Sequence, residues 1–263
     1  MIRLSACIEM LFNEYSFPER PAAAKAAGIE AIEFWGWANK DLDELCSAVK
    51  AAGVAVAACS VGTADDRRAE AIKAYGLLDK RNAGIFAESV QETIEAVRPL
   101  GIPTLLVTVG QELAGVPRSA QHDAIVESLL TAAPIAEKEG VTLVVEPLNI
   151  LVNHKGYYLS SSHEAAEILK SVNSPRVKML FDVYHQQITE GNIIANLTAY
   201  MPLIGHIHTA DNPGRHEFGT GEINYKSVLK AVDAAGYTGY TGLEYAPSVA
   251  SGRSLSSIYN ALG

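Results

Sequence analysis

The sequence predicts a single (β/α)8 barrel, and three observations carry that expectation. One punctuation recurs along the chain: an Ala-rich helical segment ends in Gly, and a short apolar run follows. It stands at AAGIEAIEFW (26–35), AAGVAVAAC (51–59), PLGIPTLLV (99–107), KEGVTLVVE (138–146) and AAGYTGYTGLEY (234–245). Gly suits the left-handed position just past a helix end because it has no Cβ to clash. The runs are apolar without strict alternation, as parallel strands covered on both faces are. They also alternate with helical patterns throughout, which is βα repetition at barrel length. At 263 residues the chain fits one such unit, 1–263, and no composition shift or low-complexity linker marks a second. An open, doubly wound sheet is the competing architecture, but no GxGxxG follows the first strand to support it.

In chain order, strands are expected near 2–8, 30–35, 54–59, 103–107, 141–146, 177–182, 203–208 and 239–244. Helices are expected between and after them, near 18–27, 40–52, 84–98, 119–139, 162–172, 187–200, 224–235 and 254–261. Ser162 before HEAAEIL and Asn224 before YKSVLKAV read as helix-start residues, whose side chains can accept from orphan backbone N–H groups.

Composition narrows the function classes. Apolar residues make up 48%, enough for a sizeable core. A net charge of −9 argues against a nucleic-acid surface, which needs a basic field, and suits a soluble metabolic enzyme. Cys7, Cys46 and Cys59 form no CxxC pair, and their odd number makes a disulfide framework improbable. Cys7 and Cys59 lie in strand-like runs and read as small core residues. The start, MIRLSACIEML, is broken by Glu9 and does not read as a signal peptide. No stretch reaches the roughly 20 apolar residues of a membrane span. A reducing cytoplasm is the expected setting.

On a barrel, chemistry gathers at the C-terminal ends of the strands. The last residues of the final four expected strands are Glu146, Asp182, His208 and Glu244. Three carboxylates converging in a partly dry site repel one another and cannot all stay ionised unaided. A divalent cation resolves this, and three carboxylate oxygens with one imidazole match Mn²⁺, Mg²⁺ or Co²⁺. The plainer reading gives each residue its own local ion pair or hydrogen bond, but four at consecutive strand ends favour a shared site. His185, in FDVYH, and Arg215, in the loop after His208, can supply donors to substrate oxygens. The competing readings are helix N-terminal packing for His185 and a solvated loop for Arg215. Because side chains alternate along a strand, His206 is expected to face away from His208 and pack against a helix. His216 reads as structural. Glu33 ends the second strand without an assigned role, and Trp35 and Trp37 after it are candidates to wall the pocket or to pack in the core.

The segments SACIEMLFNEY at the start, EPLN (146–149), GYYL (156–159), FDVYHQQ (181–187), MPLIGHIHTADNPGR (201–215) and GTGEINY (219–225) resemble the hydroxypyruvate isomerase family. That family belongs to the xylose-isomerase-like barrels, beside the ketose 3-epimerases and 2-oxo-tetronate isomerases. The likeness spans nearly the whole chain. It implies metal ligands at Glu146, Asp182, His208 and Glu244, proton transfer by Glu146 and Glu244, and substrate binding by His185 and Arg215. His208 stands where some family members carry Gln and the 3-epimerases carry His. The expected reaction is therefore isomerisation of a small keto acid or ketose, with ketose 3-epimerisation as the alternative. A phosphodiesterase like endonuclease IV is more remote, because it needs more metal-binding histidines than this chain's seven allow, and a basic face. A non-catalytic sugar-binding barrel is disfavoured because both glutamates are present. By analogy with related barrels, a homodimer or homotetramer is expected.

Overall fold

The computed structural model describes residues 2–262. Eight parallel strands close into a barrel in sequence order: β1 (Arg3–Cys7), β2 (Ala31–Phe34), β3 (Ala55–Ser60), β4 (Thr104–Val107), β5 (Thr142–Val145), β6 (Val177–Asp182), β7 (Ile204–Thr209) and β8 (Tyr240–Leu243). β8 pairs back onto β1, so no strand edge is left open. Each expected strand is present, within a residue or two at either end.

The α-helices are α1 (Arg20–Ala26), α2 (Leu42–Ala52), α3 (Asp66–Tyr75), α4 (Ala83–Val97), α5 (Arg118–Glu139), α6 (Ser162–Val172), α7 (Val183–Thr189), α8 (Ile193–Tyr200), α9 (Tyr225–Ala234) and α10 (Ser251–Leu262). Three features differ from the sequence expectation. α3 carries no buried residue and so has no apolar stripe to betray it; its Asp65 cap accepts from Arg68 N. The pattern near 187–200 divides into α7 and α8, because Gly191 and Asn192 both take left-handed backbone there. The cap of α6 is Ser161 rather than Ser162, whereas Asn224 caps α9 as expected by accepting from Ser227 N. No helix among the described residues is long and apolar enough to cross a membrane. The three cysteines are buried and free.

Most of the core lies between the barrel and the helices, where Phe34, Phe181, Tyr158 and Tyr245 are enclosed. Inside the barrel the two halves differ in chemistry. Ala58, Leu106, Val144 and Leu180, from β3 to β6, form a separate small apolar cluster. The other half carries Ser5, Glu33, His206 and His208, all buried and polar. β7 is out of step with β6 by one residue: Met179 pairs Ile204 and Leu180 pairs His206, leaving Gly205 extra. Such a bulge re-aims the side chains that follow it. Only glycine fits, because a Cβ there would lie 2.8 Å from both Lys178 Cβ and Val144 Cγ1.

Gly205→Ala is therefore expected to lose about 1–3 kcal/mol of stability through overpacking. Gly84→Ala, in α4 with nothing within 4 Å of its added Cβ, is expected to be neutral or to gain up to about 1 kcal/mol. Urea unfolding of the two variants checks the contrast, and equal effects would contradict it.

Candidate active site at the C-terminal rim of the barrel

Four strand ends converge. Asp182 closes β6 and pairs with His208 of β7, which pairs with Gly242 of β8. Glu146 and Glu244 stand one residue past β5 and β8, yet their amides still bond the neighbouring strands, Glu146 N to Val107 O at 3.0 Å and Glu244 N to Thr209 O at 3.1 Å. One ligand-type atom from each of Glu146, Asp182, His208 and Glu244 lies within 4.8 Å of every other, and all four residues are buried. The His208 ring sits between the glutamates, with Nδ1 3.7 Å from Glu146 Oε1 and 3.5 Å from Glu244 Oε2. Thus the structure gathers the four residues that the strand-end reading grouped.

Each carboxylate is oriented differently. Asp182 Oδ1 caps α7 by accepting from Tyr184 N at 2.7 Å and His185 N at 3.3 Å. Its Oδ2 is left facing inward, 3.5 Å from His185 Nε2 and 4.0 Å from Arg215 Nη2. Trp35 Nε1 donates to Glu244 Oε1 at 2.9 Å, and Arg215 Nη2 to Glu244 Oε2 at 2.5 Å. Glu146 Oε1 and His208 Nδ1 are buried without a hydrogen-bond partner.

The charges answer one another. Burial holds the Asp182 carboxyl above its usual range, although Arg215 opposes it. Burial would raise Glu244 too, but the His208 and Arg215 charges draw it down to about 2. Burial disfavours a charge on His208, yet Glu244 and Glu33 outweigh it and hold the imidazole well above its usual value. Two buried, unpartnered atoms pointing between three carboxylates, with an O,O,O,N donor set, fit a hard divalent cation.

His185 is fully enclosed, and burial pushes its pKa down to about 3, so it is neutral. Asn149 fixes its tautomer: the Asn149 side-chain amide lies 2.6 Å from His185 Nδ1 and donates to it. The proton is thereby left on Nε2, which has no partner of its own. Tyr157 stabilises the β5 loop from below, donating to Glu146 O at 3.0 Å and accepting from Val109 N at 2.8 Å.

Arg215 rides a loop that one carboxylate organises. Asp211 accepts from the amides of Asn212, Gly219, Gly221 and Ile223 at 2.7–3.1 Å. Gly221 must be glycine, because a Cβ would meet Asn212 O at 2.2 Å. Arg215 itself has φ 56°, uncommon for a side-chain-bearing residue. It is held there by Arg215 N donating to Asp211 O at 3.0 Å and Ala246 N donating to Arg215 O at 2.9 Å. His216 is structural, with Nδ1 2.6 Å from Ala246 O.

Two sequence expectations need correction. His206 does not face away from His208. Residues two apart on a strand share a face, and both rings point into the barrel with centroids 5.0 Å apart. Trp37 is no pocket wall: it is buried in the core, with Nε1 donating to Thr93 Oγ1 at 3.0 Å. Trp35 is the one that reaches the site, bonded to Glu244 and 42% exposed. Sequence reasoning gave no role to Asn149 or Asp211. Each was visible only as a polar residue inside a distinctive motif, EPLN and HTADNPGR, without a sign of what it would bond. A surface groove of about 670 Å³ beside Met201, Ile204 and Tyr237 is lined by no ionisable acid or base other than that tyrosine.

Against known proteins, residues 21–260 match the model of the xylose isomerase-like TIM barrel family. A hydroxypyruvate isomerase of Escherichia coli strain K12 is 32% identical over 247 residues, covering 94% of each chain. A 2-oxo-tetronate isomerase of Cupriavidus necator is 33% identical over 247 residues with the same coverage. A crystal structure described as an AP endonuclease, family 2, from Brucella melitensis superposes with a TM-score of 0.90, 27% identity and 99% coverage of both chains.

Asp211→Ala would strand four loop amides and is expected to destabilise the protein by on the order of 3 kcal/mol. Hydrogen exchange should accelerate across residues 212–223. Unchanged protection there would show that Asp211 does not hold the loop.

Proposed function

The chain belongs to the xylose isomerase-like TIM barrel family, and from that premise we propose a metal-dependent isomerase of a small hydroxy-carbonyl compound. It acts as one domain, 1–263, on a keto acid of the hydroxypyruvate type, which it converts to tartronate semialdehyde, or on a related short ketose. The observation that carries this reading is the tetrad of Glu146, Asp182, His208 and Glu244, with its unpartnered Glu146 Oε1 and His208 Nδ1. The isomerase names of the Escherichia coli and Cupriavidus necator relatives support the reaction class.

Those four residues would hold one divalent cation, with Mn²⁺ or Mg²⁺ favoured and Co²⁺ compatible. When bound, it supplies a Lewis acid that makes the C–H beside a substrate carbonyl more acidic. The protein's own groups then handle the proton. Glu146 and Glu244 flank the His208 ring, so one carboxylate can remove a proton to give an enediolate and the same or the other can return it. His185 Nε2–H is a fixed neutral donor for a substrate oxygen. Arg215 keeps its Nε free of any partner, so it can bind a second oxygen or a carboxylate while still touching Glu244. Trp35 covers Glu244 on its solvent side and limits the entry of water.

Return of the proton to the neighbouring carbon isomerises the substrate, and return to the opposite face of the same carbon epimerises it. The two carboxylates on either side of one ring serve both outcomes, so ketose 3-epimerisation is the second reading. A nuclease role is not favoured. Among the described residues, two groups of metal-binding side chains come together, and they share His208. The chain is also acidic.

Glu146→Gln and Glu244→Gln should each fold and lose at least about 10³-fold in kcat. Near-normal turnover in either would exclude a two-carboxylate mechanism. Chelator treatment should abolish activity and Mn²⁺ or Mg²⁺ restore it; full activity of metal-free enzyme would remove the cation from the reaction. A panel of C3 to C6 keto compounds incubated in D₂O and followed by NMR identifies the substrate. Deuterium on the carbon that becomes the new carbinol marks isomerisation, and deuterium on an inverted carbon marks epimerisation.

A further inference from the structure

Beneath the tetrad, inside the barrel, lies a carboxylate that proton transfer does not use. Glu33 is 2% exposed, and its two oxygens face two histidines of β7. Oε2 is 2.8 Å from His206 Nε2 and accepts from Ser5 Oγ at 3.0 Å. Oε1 is 3.1 Å from His208 Nε2. Glu33 Oε1 and His208 Nε2 are both buried and neither makes a hydrogen bond, so their 3.1 Å approach is an ion-pair contact. The fold makes room for this carboxylate. Gly242 of β8 stands directly over it, where an added Cβ would lie 2.2 Å from Glu33 Oε1 and 2.7 Å from His208 Cδ2.

As a metal ligand His208 must be neutral, and a neutral imidazole has one N–H and one lone pair, so the hydrogen bond at one nitrogen fixes what the other can do. A proton held on Nε2, 3.1 Å from Glu33 Oε1, leaves the Nδ1 lone pair of His208 to Glu146 and Glu244, where the donor atoms converge. We infer that Glu33 is a positioning residue, anchored by Ser5 and His206, that sets the ring orientation and tautomer of His208 and so its strength as a metal ligand. Partners of this kind behind ligating histidines are general in metal sites, and removing them typically weakens metal binding 10–100-fold. A second metal centre at Glu33, His206 and His208 is the rival account of the same cluster. The Ser5 and His206 contacts at 2.8–3.0 Å are hydrogen-bond distances and favour a proton-bridged network.

This inference rests on reading the tetrad as metal-holding, and the test separates the two. Mn²⁺ binding to the full chain is measured by calorimetry and electron paramagnetic resonance for wild type, Glu33→Gln and, as a remote control, Gly84→Ala. One Mn²⁺ per wild-type chain is expected, bound 10–100-fold more weakly by Glu33→Gln and within about threefold of wild type by Gly84→Ala, whose added Cβ meets nothing within 4 Å. If wild type binds no Mn²⁺, the metal reading itself fails. If wild type binds but folded Glu33→Gln binds equally well, only the positioning role falls. Two Mn²⁺ per wild-type chain, one of them lost in Glu33→Gln, would overturn it in favour of the second centre. Should Glu33→Gln not fold, long-range ¹H–¹⁵N NMR of histidine-labelled, Mg²⁺-loaded wild type decides. A proton on His208 Nε2 supports the assignment, and a proton on Nδ1 overturns it.

Discussion

The structure is organised around one electrostatic constraint: three carboxylates and an imidazole brought within 4.8 Å of one another in a nearly closed site. Charges this close in a poorly solvated volume are tolerable only with positive charge among them. Much of the surrounding architecture meets that need. Arg215 is carried in on a fixed loop against Glu244, His208 stands between the glutamates, and α7 starts on Asp182 so that two amides share its charge. A divalent cation extends the same compensation, which is why the donor set suits one.

The barrel supplies what this arrangement requires of a scaffold. Strand ends are rigid and in register, so Asp182, His208 and Gly242 stand in line across three neighbouring strands. The first turn of α7 and the loop after β7 then bring the adaptable groups, and each is held by its own hydrogen bonds: Asn149 for His185, Asp211 for Arg215. The carboxylates proposed to move the proton thus sit on strand ends, and the donors proposed for the substrate on segments that are free to differ without disturbing the sheet.

What was legible in the sequence follows from the range of each interaction. The strands and the four convergent residues could be read because a βα repeat puts strand ends in one place whatever the loops do. α3 was missed because its stability comes from capping and solvated ion pairs, as in Arg68 with Glu92 at 2.6 Å, and leaves no apolar period. The position of His206 was misjudged by treating residues two apart as opposite, and the Gly205 bulge just before it has no local signature. Glu33 lies 173 residues from the histidine it bonds. Trp35 and Trp37 share one short motif yet part company, one toward Glu244 and one toward Thr93. Pairings of that kind exist only once the barrel has closed.

The divided interior of the barrel has a consequence for how such a protein can change over time. In the half lined by Ala58, Leu106, Val144 and Leu180, one apolar side chain can be exchanged for another provided the volume is kept. In the opposite half, Glu33 occupies the space that Gly242 leaves, and it bonds Ser5 and His206 at once. A side chain at 242 displaces the carboxylate, and losing the carboxylate strands two histidines. That half therefore admits only simultaneous replacements. Relatives should retain Ser5, Glu33, His206 and Gly242 together or have exchanged them as a set, while the facing wall drifts one residue at a time.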